Sequence, residues 1–171
     1  KIKIDINFKN LEILKKTRID ALHKKFNEYA PDVNANITFN GKNYPAKIRL
    51  NGYLYPNWEN KKQWNLKIRL KNNQTINSLN EFTISNSYER DYPYNFIFKE
   101  IYKRYGLLVI DQFFSNIVVN GDNWGLMLIE EKISDNFFFK NSLKESLTLK
   151  PTNNEGFRLS IYNENSKILD N

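Results

Sequence analysis

The chain has 171 residues, with 26 Lys+Arg against 19 Asp+Glu for a formal net charge of +7, one His and no Cys. That length suits a single domain, residues 1–171, which buries roughly 70 per cent of its unfolded surface without a covalent staple. The composition excludes cysteine nucleophiles, disulfides and Cys-ligated zinc, and one imidazole excludes a His-pair metal site, so no metal site is expected.

Residues 10–29 carry Leu11, Leu14, Arg18, Leu22, Phe26 and Tyr29 at spacings of three and four, which predicts an amphipathic helix closed by Pro31. The lone His23 lies beside that stripe and reads as a helix-surface residue. Strand chemistry follows. Ile37 and Phe39 alternate with polar neighbours, Asn40-Gly41 offers a hairpin turn, and Ala46, Ile48 and Leu50 alternate with Lys47 and Arg49. Trp64, Leu66, Ile68 and Leu70 repeat the alternation with Lys67 and Arg69, and Phe82 with Ile84 marks a further short strand.

Residues 94–105 predict a second helix with Phe96, Ile97, Ile101 and Tyr105 as its buried stripe and Gly106 as its stop. Next come two apolar runs, residues 117–119 and 126–129, joined across Asn120-Gly121, a dipeptide that tolerates positive φ at both central turn positions. Residues 135–139 suit a short helix capped by Ser134, and the remainder shows no firm period. The elements together predict an α+β fold: a twisted antiparallel sheet of five or six strands with two main helices on one face. The apolar runs all fall far short of the roughly 18 residues of a membrane span.

Gly-rich phosphate loops, a nucleophile triad and clustered metal ligands are missing from the sequence. Three features remain. Alternation sends Lys47, Arg49, Lys67 and Arg69 to one sheet face, a basic field for phosphate or another anion, although a solvated sheet face has the same pattern. Glu100, one residue from Ile101, is a carboxylate to order those cations, or else one member of a plain surface ion pair. Glu130 and Glu131 are neighbours in an extended strand, so they point to opposite faces and cannot act as one acid/base pair. The loop NGYLYPNWEN carries Tyr53, Tyr55 and Trp58, a lid or sugar-stacking platform in one reading and a cover for the sheet edge in the other.

The order of these pieces resembles the CotH-type family of atypical protein kinases, first associated with bacterial spore coats. The run begins with R-x-x-A-L at Arg18 to Leu22 and AKIRLNG at Ala46 to Gly52, and continues with KKQWNLKIRLK from Lys61 and EFTISNSYER from Glu81. It ends with KRYGLL from Lys103 and VNGDNWGLMLIEEKIS from Val119, in which Asn120, Gly121, Trp124, Gly125 and Glu130 stand as in the family.

The resemblance implies a kinase-small-lobe-like fold and the N-terminal portion of a longer protein. In complete form that protein would transfer phosphate from ATP, with Mg²⁺ or Mn²⁺, to Ser or Thr of surface or coat proteins. It implies that Arg49, Lys67, Arg69, Glu100 and Glu130 contact the nucleotide or order its ligands, while the catalytic residues are unassigned. An extracellular or cell-surface setting follows from the same likeness. The alternative is a non-catalytic surface module that binds an anionic polysaccharide or a partner protein. Nucleic acid is not the expected partner.

Overall fold

The computed structural model describes residues 1–25, 30–53, 55–86, 93–143, 145–152 and 156–163, the last two runs as backbone. It divides the chain into two compact units, Lys1–Lys132 and Ile133–Asn171. The first unit contains β1 (Ile2–Asp5), α1 (Phe8–Lys24), β2 (Val33–Phe39), β3 (Lys42–Leu50), β4 (Leu66–Leu70), β5 (Glu81–Ser85), α2 (Tyr94–Arg104), β6 (Gln112–Val119) and β7 (Asp122–Glu131). The second contains the short helix α3 (Asp135–Lys140) and an antiparallel hairpin of β8 (Glu145–Thr152) with β9 (Gly156–Asn163). Ser134 occupies the cap position of α3 without a side-chain cap bond.

The seven strands of the first unit close into a barrel in the order β1-β2-β3-β4-β5-β7-β6. This overturns the expected open, kinase-small-lobe-like sheet with two helices on one face. The physical reason is the first strand. Ile2, Ile4 and Ile6 are buried and alternate with exposed Lys3 and Asp5, so the chain start is a half-buried strand. It pairs antiparallel with β2 and, on its other edge, parallel with β6 through Ile2↔Ile117 and Ile4↔Val119. A strand that satisfies both edges leaves none open, which is how a barrel removes the unpaired backbone of an open sheet.

The interior holds Ile2, Ile4, Ile37, Ile48, Leu66, Ile68, Phe82, Ile84, Ile117 and Ile129, all 2 % exposed or less. Each such side chain contributes about 1.5–3 kcal/mol relative to leaving it in water. Leu14 and Ala21 of α1 join the same cluster, with Trp58, Trp64 and Trp124. Arg18 secures α1 there. Its guanidinium lies 5.1 Å from the Trp64 ring centre and donates to the backbone carbonyls of Trp58, Glu59 and Asn60. α1 ends with Lys25 in the left-handed conformation, earlier than the sequence period suggests, and Phe26 and Tyr29 lie outside the described residues. α2 buries none of its residues, contrary to the expected stripe.

The hairpin of β6 and β7 explains its own sequence. Asn120 and Gly121 both take positive φ, 48° and 86°, as the two-residue turn demands. Pairing then runs Val118↔Asn123 and Ile117↔Gly125, so Trp124 is an extra residue in the ladder. Gly125, at φ 82°, absorbs this bulge, and Trp124 turns into the core 5.4 Å from Trp64. The Asn120 side chain also bonds across the barrel seam. Its Oδ1 accepts from Ile6 N at 2.7 Å, and its Nδ2 donates to Ile6 O at 2.8 Å. With Asn120 N donating to Ile4 O, the amide carries the parallel β1–β6 ladder one residue beyond each strand.

Replacing Asn120 with Gly keeps the left-handed backbone and deletes only those side-chain bonds, so we expect a loss of about 1–2 kcal/mol. Asn120-Gly121→Val-Val, which also resists positive φ, should lose more. Urea unfolding that shows wild-type stability for Asn120→Gly would remove the amide from the closure of the barrel.

Candidate functional site

Strand register assembles one polar wall on the outside of the barrel. A first row runs Lys47↔Arg69↔Glu81 across β3, β4 and β5. A second runs Arg49↔Lys67↔Thr83↔Glu130↔Gln112 across β3, β4, β5, β7 and β6. The neighbouring positions Ile48, Ile68, Phe82 and Ile129 fill the interior, so alternation alone sends the polar set outward.

Carboxylates balance part of this positive field. Glu81, whose side chain is 13 % exposed, receives Lys67 on one oxygen and Arg69 Nε on the other at 2.9 Å. Burial acts to raise the Glu81 pKa, but Lys67 and then Arg69 outweigh it, and the carboxyl lies below its ordinary value. Arg49 reaches Asp32 at 3.8 Å, a loose and half-exposed contact. Among the described residues Lys47 makes no ion pair and is exposed. Four cations therefore face two carboxylates, with Lys67 and Arg69 fixed in direction by Glu81 and with Lys47 and Arg49 held loosely or not at all. Such a surface attracts anions and offers the planar Arg fork to phosphate, carboxylate or sulfate groups.

The other sequence candidates are placed differently. Glu100 is exposed on α2 and, among the described residues, forms no ion pair with the sheet cations. Its neighbour Lys99 does face the barrel, donating to the Glu130 carboxylate at 2.6 Å with both side chains largely buried. Glu130 thus anchors α2 and does not project into open solvent for a ligand. Gln112 adds a bond to Phe96 O, and the Phe96 and Phe114 rings meet at 5.5 Å. Glu131 takes the opposite face, as alternation requires, and is 1 % exposed while accepting from Asp111 N at 3.0 Å.

In the loop after β3, Trp58 is fully buried with its indole N–H donating to Asn51 O, whereas Tyr53 and Tyr55 are exposed. His23 is exposed on α1. Sequence reasoning missed Glu81, the carboxylate at the centre of the wall, because only the register shows that it lies opposite Arg69 and diagonal to Lys67. Lys99 was missed because its apolar neighbours drew the helix stripe to the other side. Among the described residues no group of three His, Asp or Glu is arranged to hold a metal ion.

Glu81 predicts acid sensitivity. Its folded pKa is depressed, so its contribution is present above the ordinary carboxylate pKa and is lost as pH falls through the lower folded value. Glu81→Gln should cost about 1–3 kcal/mol near neutral pH by leaving Lys67 and Arg69 without their shared partner. The variant should also flatten the stability profile below about pH 4.3. Parallel acid unfolding curves for the two proteins would contradict the assigned pairing.

Comparison with family models gives no match for this sequence, and neither does comparison with curated proteins.

Proposed function

We propose that the outer wall of β3, β4 and β5 binds the phosphates of a nucleotide, as the ATP-binding portion of a CotH-type protein. In complete form this protein transfers phosphate to Ser or Thr of surface or coat proteins. The observation that carries the binding half is the in-register cation ladder Lys47/Arg69 and Arg49/Lys67 with Glu81 ordering two of its members. Phosphoryl transfer uses cations on the phosphates and a carboxylate that orders a lysine, and Lys67 with Glu81 supplies that pair. Support for the transfer half is the order of sequence motifs alone, since the barrel is not a kinase small lobe.

Lys47, exposed and without an ion pair among the described residues, and Arg49, held only loosely by Asp32, are the freer members, while Lys67 and the half-exposed Arg69 add positive charge fixed in direction by Glu81. The donor set does not fit a protein-held Mg²⁺ or Mn²⁺ among the described residues, so no step is assigned to a metal. These residues bind and orient phosphate and do not complete a transfer site.

A second reading has its own observation. Tyr53 and Tyr55 are 59 % and 41 % exposed in the loop that follows β3, and exposed tyrosine rings stack well on sugars. In that reading the wall and loop hold an anionic polysaccharide without catalysis.

Lys47→Glu with Arg49→Glu should weaken ATP binding at least tenfold and flatten its dependence on salt, because fewer ionic contacts remain to be screened. Reversal of Lys9 and Lys16 on α1 is the control, read by isothermal titration at several ionic strengths. An equal loss from the control pair would mean diffuse attraction and no wall site. Uronic-acid or sulfated polysaccharide that binds where ATP does not would favour the second reading. Incubated with labelled ATP and Mg²⁺ or Mn²⁺, this 171-residue chain should incorporate no phosphate into protein acceptors. Metal-dependent incorporation abolished by Lys67→Ala would overturn that expectation.

A further inference from the structure

Helix α2 is inside out. At 3.6 residues per turn, Tyr94, Ile97, Phe98, Ile101, Tyr102 and Tyr105 fall within an arc of about 140°. They are 67 %, 48 %, 54 %, 39 %, 48 % and 79 % exposed. The opposite side meets the barrel through Lys99 to Glu130 and Phe96 to Phe114. A surface helix ordinarily shows the reverse arrangement, with its apolar stripe on the core and its charges in water. Leu107 and Leu108, more than half exposed just beyond the helix, continue the same patch.

Taking roughly 200 Å² for each large side chain, this patch exposes on the order of 800 Å² of mostly apolar surface. That exceeds the few hundred Å² of the largest patch on a typical monomer. It equals the share, about 800 Å² per partner, that a standard two-chain interface buries. The charges on its rim distinguish one cover from another. Glu100 and Arg104 lie on the same flank of the arc, both exposed, and among the described residues neither makes an ion pair.

An anionic bilayer would favour cations along the whole rim and oppose Glu100. A second helix of the same sequence, laid antiparallel about a two-fold axis near Tyr102, instead brings Glu100 of each copy opposite Arg104 of the other. The patch is thus self-complementary in shape class and in charge, as an isologous interface requires. We propose that this face of α2, with Leu107 and Leu108, is a homodimer interface in which two α2 helices pack antiparallel and exchange Glu100–Arg104 ion pairs. The inference is independent of what the basic wall binds.

Size-exclusion chromatography with light scattering over a dilution series of the full chain tests it. The wild type should be a dimer that dissociates on dilution, and Ile101→Glu should be monomeric with the melting temperature of the diluted, monomeric wild type, because Ile101 is not part of the core. Glu100→Arg and Arg104→Glu should each weaken association roughly tenfold, as each reversal strikes two symmetry-related pairs. The double exchange should restore association. A wild-type chain that stays monomeric at about 100 µM would overturn the interface, since contacts of this size span micromolar affinities and tighter. A dimer that survives Ile101→Glu, or a double exchange that fails to restore association, would overturn it equally. Co-sedimentation of a monomeric wild type with anionic vesicles would assign the face to lipid.

Discussion

Everything in the Lys1–Lys132 unit depends on a parallel pairing between its first strand and its sixth. β1 is four residues long and forms only a short parallel register with β6, yet without it the sheet ends on two open edges. Asn120 reinforces that seam by using its side-chain amide as a peptide group, with donor and acceptor both matched to Ile6. The same residue makes the left-handed turn between β6 and β7. One position therefore serves a local constraint, the turn, and a global one, the closure.

A closed barrel sorts its residues by face. The buried inward positions are aliphatic or aromatic apart from Ser115 and Glu131, and the outward positions on β3, β4 and β5 are free to carry charge. The wall has been populated unevenly: cations dominate β3 and β4, and the single carboxylate of Glu81 on β5 holds two of them. The Lys99–Glu130 pair continues the polar row but serves packing, since it is buried beneath α2. Two ion pairs on adjacent strands thus have different consequences. One leaves a charged surface open to a ligand, and the other fastens a helix to the wall.

Much of the strand content was legible. Asn40-Gly41 and Asn120-Gly121 mark hairpins because few dipeptides accept positive φ twice, and the alternation of Ile48 and Leu50 with Lys47 and Arg49 follows from the pleat. The face shared by Lys47, Arg49, Lys67 and Arg69 was readable for the same reason, while Glu81 was not, because register is a long-range property. The first strand carries an alternating signal in Ile2, Ile4 and Ile6, but its role in closure involves a partner 115 residues away, Ile117, for which no local pattern exists. Helix α2 was misread for another reason. A period of 3.6 identifies an apolar side and says nothing about which side meets the protein, and the buried Lys99–Glu130 pair together with Phe96 decided the orientation.

The Asn120–Ile6 seam spans a sequence separation of 114 residues, which ties the order of folding to the order of synthesis. Strands β1 to β5 are neighbours in sequence and in space, so each can pair as it emerges, at low loop-closure cost. The final seam must wait until residue 120 has left the ribosome. Until then β1 presents one unpaired edge, only four residues long and carrying Lys3 and Asp5 on its exposed face, charges of the kind that discourage pairing with another nascent chain.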